Sequence, residues 1–260
     1  MFLFNSCKKE TQDTETTSAT DNTICESEFS RMMPAINTIS IGEPGVQWNN
    51  PNQGPIQVQA GCATITITTP NQFPVTMTVD YGTTGCTDSV DAKVRKGKII
   101  IVYSGPFYTV GTTMTATFQD YYVNGIKFEG TTTVTRTGQY TFTQTVTGGK
   151  CTGSANDWTI LWDCARSFEW TQGMNTGLDA TDDIVKISGT GNGTDRNGRT
   201  FTVEVTKPII KSMGCRWIQE GTYSITPDGK PTRTVDFGSG SCDNKATITI
   251  EGNSFEFTMN

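Results

Sequence analysis

Histidine is absent from the 260 residues, which removes the commonest general base and the commonest metal ligand. No run of about 18 apolar residues occurs, so the sequence predicts no transmembrane helix. Basic residues are in deficit: 20 Lys and Arg against 26 Asp and Glu leave a net charge of −6 and a pI near 4.8. That balance speaks against nucleic acid as a partner, because phosphate binding needs a basic face. None of the 8 cysteines forms a C-x-x-C pair; without His, a zinc site is a weak reading. Nucleophile motifs are missing too, so the sequence assigns no catalytic residue, metal or cofactor.

What is abundant is threonine, 47 residues of it, alternating with Val, Ile, Phe and Tyr and interrupted by 27 glycines. β-branched residues in alternation, punctuated by Gly, make the composition of an all-β exported protein. Widely spaced cysteines in such a chain fit structural disulfides and an oxidising compartment.

The N-terminus points the same way. Met1 to Ser6 followed by Cys7 looks like the tail of a bacterial lipoprotein signal, in which the Cys carries lipid. The apolar run is too short for a full signal, so Met1 is expected to be internal and the start upstream. Residues 7–23 are charged, Thr-rich and almost free of apolar side chains, which predicts a disordered tether. Cys7-Lys8-Lys9-Glu10 resembles the segment behind the lipid-bearing Cys of outer-membrane lipoproteins of Bacteroidota, where it accompanies display on the cell surface. The implied partner is the membrane, reached through lipid on Cys7.

Thr23 and Glu26 are spaced as a capping box, and Phe29, Met32, Met33 and Ile36 follow at helical spacing. One short helix is therefore expected over 24–37, within a helix-and-linker segment 24–41. From Ile56 onward the period is two, with about fourteen strands whose apolar face opposes a threonine face. Asn124-Gly125 and Asn197-Gly198 are candidate two-residue type I′ turns. Lys96-Gly97, Gly148-Gly149, Asp228-Gly229 and Gly252-Asn253 are further turn candidates. So many strands exceed one flat sheet. The expectation is an antiparallel β-sandwich or two packed β lobes, 42–147 and 148–260.

A duplication is the most specific feature. Gly61-Cys62, Pro70, Pro74, Thr78-Val79-Asp80-Tyr81-Gly82 and Cys86 are matched by Gly214-Cys215, Pro227, Pro231, Thr234-Val235-Asp236-Phe237-Gly238 and Cys242. Each copy reads as a hairpin with its prolines at the tip, which brings Cys62 beside Cys86 and Cys215 beside Cys242. Asp80 and Asp236 invite a reading as a catalytic pair, but an Asp two residues before Gly at a strand end caps a turn. Cys151 and Cys164 are expected to pair across neighbouring strands, leaving Cys25 single. The ordered pieces Asp80–Gly82 with Cys86, Arg95–Ile100, Tyr121–Gly125, Asp182-Asp183, Cys215–Ile218 and Asp236–Ala246 resemble a family of uncharacterised Bacteroidota lipoproteins over roughly residues 60–260. The resemblance implies an all-β fold and a surface location, and lends no activity or site residue.

Trp158, Ile160, Trp162, Phe168 and Trp170 share one face if their segment is a single strand. Exposed, Trp158, Trp162 and Trp170 would be a platform for sugar rings; the sequence favours them filling a core instead. Asp182, Asp183, Glu169, Glu204 and Glu220 are candidates for the two carboxylates of a glycoside hydrolase. Gly189–Gly198 superficially resembles a calcium or phosphate loop but lacks the alternating acids of one and the Lys of the other; a long mobile hairpin tip is expected. Lys93, Arg95, Lys96 and Lys98 are expected to be solvated charges blunting an edge strand. The sequence thus points to a non-catalytic binding or structural role, with extracellular glycan or a partner protein as ligand, and a carbohydrate-active hydrolase as the alternative.

Overall fold

The computed structural model describes residues 13–30, 56–68, 72–88, 91–107, 109–173 and 180–259. Cys7, the signal remnant 1–6 and residues 31–55 lie outside them. Among the described residues the chain is all-β and antiparallel with one short α-helix, α1 (Thr17–Phe29). Its first eight strands are β1 (Ile56–Ala60), β2 (Ala63–Thr68), β3 (Val75–Asp80), β4 (Cys86–Thr87), β5 (Val94–Tyr103), β6 (Thr113–Val123), β7 (Ile126–Arg136) and β8 (Thr141–Thr152). β9 (Thr159–Gln172), β10 (Ile184–Thr194), β11 (Thr200–Ser212), β12 (Glu220–Pro227), β13 (Arg233–Ser239), β14 (Lys245–Ile250) and β15 (Asn253–Thr258) follow.

All fifteen belong to one sheet in which sequence neighbours are spatial neighbours, with β4 set aside against β5. The antiparallel strands expected as a sandwich or two packed lobes join in a single meander. Apart from β4, each strand lies beside its predecessor, as sequential strands prefer. Asn124 and Gly125 both have positive φ (47° and 84°), the type I′ geometry expected between β6 and β7. The β10–β11 turn differs: Asn197 is not left-handed, and Asp195 holds a longer loop by accepting the N–H groups of Asn197 and Arg199.

A sheet this wide buries a core only by curling, and its register breaks show how it does so. Shifts interrupt β5/β6 between Lys96 and Lys98, β8/β9 between Val146 and Gly149, and β10/β11 between Ile187 and Thr190. Each bulge bends its strand and sharpens the twist. Lys96-Gly97 and Gly148-Gly149 are thus bulges inside strands rather than the expected turns. At Gly97, with φ +85°, a Cβ would run into the backbone carbonyl of Asp120. The helix measures the result. Tyr223 on β12 reaches Thr23 and Arg95 on β5 reaches Glu28. Those helix residues stand only about 8 Å apart along the axis. Seven steps of the sheet separate the two strands, roughly 34 Å if it were flat. Two side chains cannot span that difference, so the sheet wraps around α1.

The core is the inner face of the curl. Ile65, Met77, Ile101, Met114, Val134, Val146, Ile160, Val203, Ile225, Val235 and Ile248 join Ala19, Cys25 and Phe29 of the helix in one buried cluster. Phe29 stacks on Trp162 at 5.4 Å and meets Phe118 and Phe128 edge-on at 5.6 and 5.9 Å. Threonines take the other face, as the alternation predicts.

The helix begins at Thr17, inside the segment expected to be a disordered tether. Thr23, expected to cap it, sits mid-helix and donates back to the Ala19 carbonyl at 2.9 Å. The first turn is capped by Glu15, whose carboxylate accepts the N–H of Thr17 at 2.5 Å and of Ser18 at 3.3 Å. At the far end, Gln144 on β8 donates to the Phe29 carbonyl at 2.8 Å. The residues expected to extend the helix to 37 lie outside the described ones.

The duplication folds as matched hairpins on the two flanks of the sheet, β2–β3 and β12–β13. Cys62 is bonded to Cys86 and Cys215 to Cys242. Asp80 accepts the N–H of Gly82 at 2.8 Å, and Asp236 that of Gly238 at the same distance. Both aspartates are turn caps.

Candidate functional site

The inner face of the curl carries charge as well as apolar side chains. Arg95, Arg166 and Arg233 project inward from β5, β9 and β13, and each is 0–2% exposed. Arg166 keeps phase with the inward Cys164 and Phe168, and Arg233 with Val235 and Phe237. Alternation alone therefore forces them inside. A buried guanidinium is costly unless every donor finds an anion, and the N-terminal segment supplies most of those anions.

Arg95 grips Asp91 with two bonds of 2.7 Å and reaches Glu28 at 3.1 Å and Asp88 at 3.2 Å. Burial alone would lower its pKa; Asp91 and Glu28 more than offset it, so the charge is held more firmly than usual. Glu28 also accepts from the buried Tyr121 hydroxyl at 2.5 Å. Burial, seconded by that carboxylate, pushes Tyr121 well above its ordinary range. Arg166 donates to Glu26 at 3.1 Å. Arg233 donates to Asp13 at 2.8 Å and Glu15 at 3.2 Å.

The β10–β11 tip is likewise tied down rather than free. Asp195, 1% exposed, accepts from Ser18 at 3.0 Å, and Arg196 donates to Asp21 at 2.7 Å. The chain thus fills the hollow of its own sheet with a helix clamped by ion pairs along its whole length. The sequence held a signal for this, since an Arg in phase with apolar neighbours on a strand must point to the core. Reading Arg95 as a solvated edge charge overlooked that phase: β5 is an inner strand between β3 and β6. Of its lysine neighbours, Lys98 pairs with Asp80 at 3.0 Å and Lys96 lies over the Tyr122 ring at 4.3 Å.

The structure separates the other candidates. Trp162 is 1% exposed and its Nε1 donates to Asn22 at 2.8 Å. Trp158 is half-buried under the Arg196 guanidinium, 4.4 Å from its ring. Trp170, also half-buried, has an indole N–H without an acceptor among the described residues. The three rings form no exposed platform, because the inner face of β9 is core. Glu169 and Glu220 share a row three strands apart, about 14 Å. Glu204 stands two strands and four residues from Glu169, about 16 Å. Both spans exceed the roughly 5–10 Å that paired carboxylates need, and Glu220 is engaged by Lys207 at 2.9 Å. Asp183 is buried while Asp182 is exposed. Among the described residues no three Cys, Asp or Glu gather as a metal site.

No family model, curated protein or solved structure matches this chain. Among the described residues, open grooves lie outside the filled interior, two of them lined by strand ends and edges. The larger, about 760 Å³, runs over the ends of β9 to β12 past Leu161, Thr202, Thr226, Asp228 and Lys230. The other, about 480 Å³, lies over β13 to β15 beside Asp236, Asp243, Lys245 and Glu256. Leu161 is 49% exposed, a large apolar side chain left bare among hydroxyls.

The remaining cysteines are arranged differently from expectation. Cys164 lies opposite Val146 on β8, whereas Cys151 lies opposite Ile160, so the two are not partners. Cys151 instead faces Cys25 of the helix, with 3.0 Å between the sulfurs. Burial lifts the Cys164 thiol to about 12, where it is inert at neutral pH.

Proposed function

We propose that this protein is a non-catalytic binding or structural module displayed at the cell surface on lipid carried by Cys7. The observation that supports it most is the occupied interior. The hollow of the curled sheet, where substrate and reacting groups would meet, holds the chain's own helix, and the helix carboxylates of Asp21, Glu26 and Glu28 are engaged by arginines. The two disulfides fit an oxidising environment. The apparent signal tail and the charged residues after Cys7 supply the surface address. The outer groove offers the hydroxyls of Thr202 and Thr226 and the charges of Asp228 and Lys230 beside the apolar Leu161, Pro227 and Pro231. That lining suits a hydroxyl-rich ligand such as extracellular glycan, or a loop of a partner protein.

Purified chain starting at Lys8 should retain glycans on an array, or capture a surface protein, without altering either. Asp13 and Glu15 must be kept because they hold Arg233. Asp228→Ala with Lys230→Ala should abolish retention. Hydrolysis products on the array would reject the non-catalytic reading in favour of a carbohydrate-active hydrolase. Incorporation of a labelled fatty acid should be lost in Cys7→Ala, and protease should remove the protein from intact cells; a protected band would contradict surface display.

A further inference from the structure

Two disulfides tie hairpins of the sheet to themselves, and nothing in that pair secures the helix. We propose that Cys25 and Cys151 form a third disulfide, which staples the N-terminal helix to β8 inside the curled sheet. Their sulfurs are 3.0 Å apart, closer than two unbonded sulfurs rest and within about 1 Å of a sulfur–sulfur bond. Both residues are fully buried, and neither touches an alternative thiol: Cys164, the third buried cysteine, belongs to another row of the β8–β9 ladder.

The neighbours hold the two sulfurs in register. Phe29, one turn beyond Cys25, is wedged between Phe128 and Trp162. Phe128 is also the residue directly opposite Cys151 across β7 and β8. Glu26, next to Cys25, is fixed by Arg166, and Gln144 on β8 holds the helix end. Rotation or sliding of the helix is opposed on each side, so the approach of the sulfurs is a property of the packed core.

Closing the bond removes one hydrogen from each thiol: two protons and two electrons leave, and one S–S bond forms. The electrons pass to a disulfide-bearing oxidant by thiol–disulfide exchange, the chemistry that also makes Cys62–Cys86 and Cys215–Cys242. The attacking species is a thiolate, and burial pushes Cys25 far above its usual range once the helix is seated. The bond therefore forms as the helix docks, and afterwards no reductant reaches it without the core opening.

The test uses the full chain folded under oxidising conditions, denatured without reductant, alkylated, digested and mapped by mass spectrometry. A Cys25–Cys151 linked peptide is expected together with the two hairpin disulfides, while Cys164 takes up the alkylating label. Recovery of Cys25 and Cys151 both alkylated, with the two hairpin disulfides intact in the same sample, would overturn the proposal; so would a link from either to Cys164 or Cys7. In native protein under graded dithiothreitol, Cys25–Cys151 should be the last of the three to be reduced. Cys25→Ala should leave the Cys151 site labelled on denaturation, a gain of one adduct there and none at the hairpin cysteines.

Discussion

Arg166 occupies the inner row of β9, in phase with Trp162, Cys164 and Phe168, where alternation places an apolar side chain. It is tolerated there because Glu26 meets it. Removing one partner of a buried pair costs about 3–5 kcal/mol, whereas replacing both by apolar groups is often nearly neutral. Arg166→Met should therefore cost several kcal/mol in urea unfolding at pH 7, and Arg166→Met with Glu26→Met much less. Equal losses for the single and double variants would sink this account of the interior. Tyr223 makes a second prediction. Burial raises its hydroxyl from an ordinary 10.0 to about 12, so the folded state holds a proton that the unfolded chain releases earlier. Its stabilising contribution is whole below pH 10 and is lost as pH climbs from about 10 to about 12. Tyr223→Phe should flatten the alkaline fall in stability over that window, followed by urea unfolding at successive pH values.

Helix α1 reads poorly as a helix on its own. Thr17 to Phe29 is rich in Thr, Ser, Asp and Asn, residues that favour caps and turns over helix interiors. It forms because Ser18, Asp21, Asn22, Thr23, Glu26 and Glu28 have partners waiting on the sheet. Apolar periodicity therefore shifted the expected helix toward 37, following Met32, Met33 and Ile36, and overlooked the polar half that is buried. The strands are the opposite case: their period-two pattern is local, and nearly all were legible. Bulges were not, since Gly97 and Gly149 look like turn residues until the partner strand is known. Gly97→Ala should cost about 1–3 kcal/mol, because it strains a positive φ, and more if the Asp120 carbonyl cannot yield; a thermal melt reports it. Replacing Cys62 and Cys86 by Ala removes a loop of 24 residues' separation. In the chain-entropy model that costs about 3–4 kcal/mol. The matched pair Cys215 and Cys242 should cost about the same.

At the scale of the molecule, one antiparallel meander closes on its own N-terminal segment. The sheet alone would leave Arg166 and Arg233 without their carboxylates and Arg95 without Glu28, and would open an aromatic hollow to water. A chain lacking residues 1–30 should therefore lose cooperative unfolding and bind an apolar dye, even though both hairpin disulfides and every strand remain. A sharp, native-like transition in that fragment would show that the sheet stands without its helix.

Local pattern along the chain is enough for the antiparallel strands, the threonine face, the matched hairpins with their two disulfides, and the turn-capping roles of Asp80 and Asp236. All of these depend on residues close along the chain, where period and turn chemistry act directly. That the strands form one curled sheet, that a polar segment plugs it, and that Cys151 faces Cys25 across 126 positions emerges only in three dimensions. Those outcomes turn on which distant charges and thiols meet once the sheet bends, and on bulges that exist only between paired strands. No local pattern encodes such meetings.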